Sequence, residues 1–109
     1  MRKRLTIIYP DRSQVVETHE GIDVDSDDAD PEKIRAWVTI LQKHVHGFLQ
    51  SVPYFNQYDG KPCIAYVNEE GWIKGMPLNE KATALWRFLL GPGHEPSIFG
   101  PLVIEQDDD

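Results

Sequence analysis

The stretch Cys63-Ile64-Ala65-Tyr66-Val67-Asn68-Glu69-Glu70-Gly71-Trp72-Ile73-Lys74-Gly75-Met76-Pro77-Leu78-Asn79-Glu80-Lys81-Ala82-Thr83-Ala84-Leu85-Trp86 decides the fold. Cys63 to Val67 is apolar with few polar atoms on either face, which predicts a central strand. Asn68-Glu69-Glu70-Gly71 reads as a tight turn, with Gly71 free to take positive φ, and Trp72-Ile73-Lys74 as the returning strand. Pro77 steers the chain away from helix, and Asn79 is placed as an N-cap. Ala82, Leu85, Trp86 and Leu89 then recur at helical spacing until Gly91-Pro92-Gly93 stops the run. If the cap is real, Asn79→Ala should cost about 0.5–2 kcal/mol.

Upstream lies a second helix. Asp30 is a good N-cap, Pro31 suits the first helical position, and Glu32 suits the positive end of the dipole. Ile34, Trp37, Val38, Leu41 and Val45 make one apolar stripe, and Gly47 is placed to end the helix in a left-handed conformation. Phe48 to Tyr54 alternates like a strand, and Pro53 puts it at an edge or ends it about there. Gln57 to Pro62 is a turn-rich connector. At the N-terminus, Leu5 to Tyr9 and Gln14 to Glu17 suggest a hairpin across Pro10-Asp11. Gly100 to Ile104 looks like the last strand.

Each helix has one apolar stripe to cover. The expectation is α+β: a small mixed or antiparallel sheet of about four to six strands on one side, with two helices packed on the other. Residues 1–109 should form a single compact domain, with an acidic loop at about 19–30 and a frayed acidic tail at 105–109. Asp30, Trp37, Asn79 and Trp86 are the residues expected to matter structurally.

At 109 residues and 12.5 kDa the chain suits one domain and is too short for a doubly wound nucleotide-binding enzyme. No apolar run approaches the roughly 20 residues that span a bilayer. The apolar stretch after Met1-Arg2-Lys3-Arg4 is too short for a signal peptide. Cys63 has no partner for a disulfide, so a reducing cytoplasmic location is expected. Net charge is −7. Seven acidic residues fall between Glu20 and Glu32 and four in the tail, leaving seven acidic against eleven basic side chains elsewhere, a net of +4. The reading is a mildly basic body, built from Arg2, Lys3, Arg4, Arg12, Lys33, Arg35 and Lys43, with two acidic segments.

Chemical motifs fail on inspection. Asp23, Asp25 and Asp27 match the start of an EF-hand loop, but Asp28 stands where Gly is needed and Ile34 where Glu is needed. One Cys with His19, His44, His46 and His94 makes no zinc signature, and His44 and His46 diverge on a helix. Cys63 opens an apolar strand, where a thiol is filler rather than nucleophile. Glu69 and Glu70 sit at a turn with no cleft between them. Gly91-Pro92-Gly93-His94 is not a phosphate loop. No catalytic residue, cofactor or metal is therefore expected. Tyr54, Phe55, Tyr58 and Trp72 are the candidate protein-binding surface.

The run Cys63 to Trp86 resembles DUF3846, a family of small bacterial, phage and plasmid proteins. The likeness lies in its apolar strand, acidic-Gly turn, short strand, Gly-x-Pro-x-Asn link and helix. Leu5 to Tyr9 and Gly100 to Ile104 are similar to the family's opening and closing strands. The resemblance implies a compact α+β domain of mobile-element origin and carries no catalytic residue. The leading expectation is a noncatalytic accessory protein that binds a protein partner, and self-pairing through an edge strand or an apolar patch could give a homodimer. The alternative is an acidic mimic that occupies the phosphate site of a DNA-binding protein. Direct nucleic-acid binding by the basic body ranks below both.

Overall fold

The computed structural model describes residues 2–20 and 30–108. In chain order these form β1 (Arg2–Ile8), β2 (Gln14–Glu20), α1 (Pro31–Val45), β3 (Leu49–Ser51), β4 (Gln57–Tyr58), β5 (Lys61–Pro62), β6 (Ile64–Asn68), α2 (Glu80–Leu90) and β7 (Leu102–Asp107). Five strands make one sheet in the order β2-β1-β7-β6-β3, with every neighbouring pair antiparallel. β4 and β5 form a separate ribbon around Asp59-Gly60, within the segment read as a connector. The α+β class holds, with two helices against an antiparallel sheet.

The helices, however, lie on opposite faces. Side chains alternate along a strand, so Leu5, Ile7 and Val103 share one face and Ile8, Leu102 and Ile104 the other. The first set packs with Trp37, Leu41 and Val45 of α1. The second packs with Ala82 of α2, Val52, Phe55, Ala65 and Ile98, bordered by Leu85, Trp86 and Leu89. The expected two layers are three. The cause is visible in the strands: Leu5 to Ile8 and Leu102 to Gln106 are buried at every consecutive position, and only a sheet covered on both sides does that. α1 has to carry the chain from edge strand β2 to edge strand β3. Its 15 residues reach about 22 Å, close to the roughly 19 Å across four strand spacings.

Helix caps follow the sequence with one change. The Asp30 carboxylate accepts from the Glu32 amide at 2.9 Å, and Pro31 opens α1. At the other end His46, not Gly47, takes the left-handed conformation, with φ 64°. Gly47 is required for a different reason: a Cβ there would sit 2.7 Å from Asn68 Nδ2. That amide donates to the carbonyls of Val45 and His46 at 3.0 and 3.2 Å and satisfies the end of α1. Ile34, read as part of the apolar stripe, is exposed.

Three strand expectations change. Trp72-Ile73-Lys74 does not return beside β6. Bonds from Lys74 N–H to the Glu70 carbonyl and from Met76 N–H to that of Gly71 wind residues 70–76 into helical turns. Gly71 is small because a Cβ would meet the Phe99 carbonyl at 2.7 Å, not because its φ is positive. The strand read from Phe48 to Tyr54 keeps only Leu49–Ser51, though at an edge as Pro53 implied. The tail is not frayed from residue 105. β7 runs to Asp107, with Glu105 and Gln106 buried. Most of the expected acidic loop, residues 21–29, and Asp109 lie outside the described residues.

Asn79 joins three segments. Fully buried, it accepts from the Ala82 amide at 3.1 Å through Oδ1 and donates through Nδ2 to the carbonyls of Ile8 and Gly100, each at 2.9 Å. Its backbone N–H reaches the Ile98 carbonyl at 2.8 Å. Loss of the side chain removes a cap and leaves two buried carbonyls with one fewer donor. Asn79→Ala should therefore cost about 2–4 kcal/mol in urea denaturation, above the range of a cap alone. Asn79→Asp should be little better, because it keeps the cap acceptor but puts a carboxylate against two carbonyls. A loss under about 1 kcal/mol for Asn79→Ala would show that the three-way junction contributes nothing beyond the cap.

Candidate functional site

The basic N-terminus and acidic C-terminus face each other across adjacent strands. Lys3, almost wholly buried, puts Nζ 2.7 Å from Asp107 Oδ1. Arg2 and Arg4 both reach Asp108, at 3.1 and 2.8 Å. The picture of a basic body with a separate acidic tail is thus corrected for this end of the molecule. Cations of β1 pair with carboxylates at and just past the end of β7.

A second polar group lies between α1 and the sheet. Trp37 Nε1 donates to Glu105 Oε1 at 2.6 Å in a fully buried contact. His19 packs edge-on against the Trp37 ring, with centroids 5.4 Å apart. Nε2 of His19 and of His44 both meet Glu17 Oε1, at 3.1 and 2.9 Å. Both imidazoles thus aim at one carboxylate oxygen. Among the described residues no three His, Cys, Asp or Glu side chains are placed to hold a metal ion. Partial burial pushes the Glu17 carboxyl upward, but its hydrogen bonds from His19 and His44 outweigh that and hold it below the ordinary 4.5.

Cys63 sits beside Lys3 and Glu105 at a small depression at the end of β6. Burial pushes its thiol up to about 11, so it stays protonated at neutral pH, and its Sγ lies 3.7 Å from the Phe55 carbonyl. A protonated thiol is a poor nucleophile.

The four aromatic residues expected to form one surface are dispersed. Phe55 is 2% exposed and belongs to the core under α2, so it cannot serve as surface. Tyr58 lines a depression with Leu85, Phe88 and Leu89, and Tyr54 a neighbouring one with Leu89, Leu90 and His94. Trp72, 75% exposed, stands elsewhere. It lines a groove of about 170 Å³ with Trp86, Pro53, Phe99 and Glu69. Trp86, expected in the core, is only partly buried and donates its indole N–H to the Pro53 carbonyl at 2.8 Å.

This groove runs beside β3. Val52 N–H bonds to the Ala65 carbonyl and Glu69 N–H to the Phe48 carbonyl, so by alternation the amides and carbonyls of Leu49 and Ser51 point out of the sheet. Gln50 and Ser51, which also line the groove, were not singled out in the sequence. The one available signal was Pro53, which marked the edge.

Glu17 supplies a pH prediction. Because its folded pKa lies below 4.5, it contributes stability that is present above the unfolded value and lost as pH falls through the folded one. Glu17→Gln should flatten the loss of stability below about pH 4.5 in acid titrations followed by circular dichroism. In a carboxyl carbon NMR titration, His44→Ala should raise the Glu17 pKa. An unchanged value would mean that His44 does not hold the charge.

No family model, curated protein or solved structure matches this chain.

Proposed function

We propose that this chain is a noncatalytic protein-binding domain that takes an extended segment of its partner along β3. The observation carrying the reading is the groove walled by Trp72 and Trp86 beside an open strand edge. Strand addition uses outward amides for register and adjacent pockets for selectivity. A three-residue edge offers few main-chain bonds, so the groove has to provide much of the discrimination. Its volume of about 170 Å³ is below the roughly 300–1,000 Å³ of small-molecule sites, which favours one inserted side chain.

The competing edge suits a partner less. The second half of β2 carries Glu17, His19 and Glu20, the kind of charged sequence that discourages added strands, although Val15 and Val16 are exposed in its first half. Mimicry of nucleic acid draws little support from the tail, because Asp107 and Asp108 are paired with Lys3, Arg2 and Arg4.

Peptides selected from a random library against the folded chain should shift the amides of Leu49 and Ser51 in NMR spectra. Ser51→Pro removes an N–H that points away from the sheet, so it should spare stability and weaken those peptides at least about tenfold. Selected peptides that bind Ser51→Pro unchanged would sink the reading.

Self-association has its own observation. Phe88 is 85% exposed beside Leu85, Leu89 and Tyr58 on the outer side of α2. If this face pairs two copies, light scattering should show a concentration-dependent dimer that Phe88→Asp abolishes. A monomer at every concentration removes the homodimer.

A further inference from the structure

We infer that the groove beside β3 receives a cationic side chain, arginine or lysine, from the docked segment; this rests on the docking reading above. Among the described residues lining the groove, Glu69 alone is charged. Its backbone N–H is bonded to the Phe48 carbonyl, but its exposed carboxylate makes no hydrogen bond or ion pair with any described residue.

Of the neutral polar side chains around it, Gln50 and Ser51 are exposed, while those of Asn68 and Trp86 are already engaged. The Asn68 amide donates to the end of α1, and its oxygen accepts from the Glu70 N–H at 2.8 Å. The Ser97 hydroxyl lies 3.4 Å from an Arg87 nitrogen that also donates to the Glu95 carbonyl. The Trp86 N–H is held by Pro53. What remains for an incoming group is the ring surface of Trp72 and Trp86, the uncharged side chains of Gln50 and Ser51, and a carboxylate that no described residue pairs.

That combination recognises a cation. An ammonium or guanidinium is drawn to an indole face by the ring quadrupole, and a planar guanidinium can stack on it while donating to a carboxylate. An acidic or phosphorylated side chain would meet Glu69 with like charge. The space matches as well, because about 170 Å³ is the volume of five or six liquid waters, the scale of one long side chain.

Two capped pentapeptides, acetyl-Thr-Val-Arg-Val-Thr-amide and its citrulline analogue, separate the possibilities. Citrulline keeps the length and planarity of arginine without the charge. Titrated into the full chain and followed by NMR, both should shift the Leu49 and Ser51 amides. The arginine peptide should bind about 3–10-fold more tightly and also move the Trp72 indole signal. Glu69→Gln, a surface change, should erase most of that preference and leave the citrulline affinity unaltered. Equal binding of both peptides by the parent chain overturns the cation and leaves edge docking standing. No shift at Leu49 and Ser51 with either peptide at millimolar concentration overturns both.

Discussion

The antiparallel pairing of the two ends of the chain is the contact on which everything else is hung. β1 and β7 lie side by side in the sheet, register Lys3 with Asp107 and Ile8 with Leu102, and are flanked by β2 and β6. Their apolar residues feed both cores at once, Leu5 and Val103 under α1 and Ile8 and Ile104 under α2. Such pairing closes nearly the whole chain into one loop, whose entropy grows only slowly with length. The return is a central pair of strands that neither helix could replace. The charge pattern follows from the same pairing, since the cations of β1 fall opposite the carboxylates at the end of β7.

Two buried asparagines then tie the helices to this pair. Asn68, at the end of β6, closes the last turn of α1, and Asn79 opens α2 while holding the ends of β1 and the approach to β7. Both use acceptor and donors together, which is the condition under which a buried amide is stabilising rather than costly. Between them runs a segment wound into turns, and that winding sets Trp72 outward at the lip of the groove. The exposed aromatic is thus a consequence of two interior hydrogen-bond junctions.

Local chemistry made much of the fold legible. Asp30 and Asn79 cap helices because a short oxygen-bearing side chain before an apolar stripe has few other uses, and both do so here. Pro53 marked an edge strand correctly. What could not be read was whatever depends on partners distant in sequence. Glu105 looked like the start of a solvated tail, because nothing near it reveals the Trp37 indole across the fold. Trp72 looked like strand because its neighbours are apolar, although residues 70–76 bond within themselves. The two-sided burial of Leu5 to Ile8 was the missed local clue. A run without alternation implies cover on both faces, and that would have placed the helices apart.

The same distinction separates the polar cluster under α1 from the groove beside β3. In the cluster, Trp37 and Glu105 satisfy each other in the interior and the half-buried His19, His44 and Glu17 bond to one another, so their geometry is accounted for within the fold. Such a group stiffens the packing of helix on sheet and leaves little unspent for a substrate. Around the groove the balance is reversed. Asn68 and the Trp86 indole N–H are bonded within the fold, yet the Trp72 indole, the Glu69 carboxylate and a strand edge are left facing outward. Residues whose arrangement folding does not explain are where an external partner has the most to offer, and on this molecule they gather at β3.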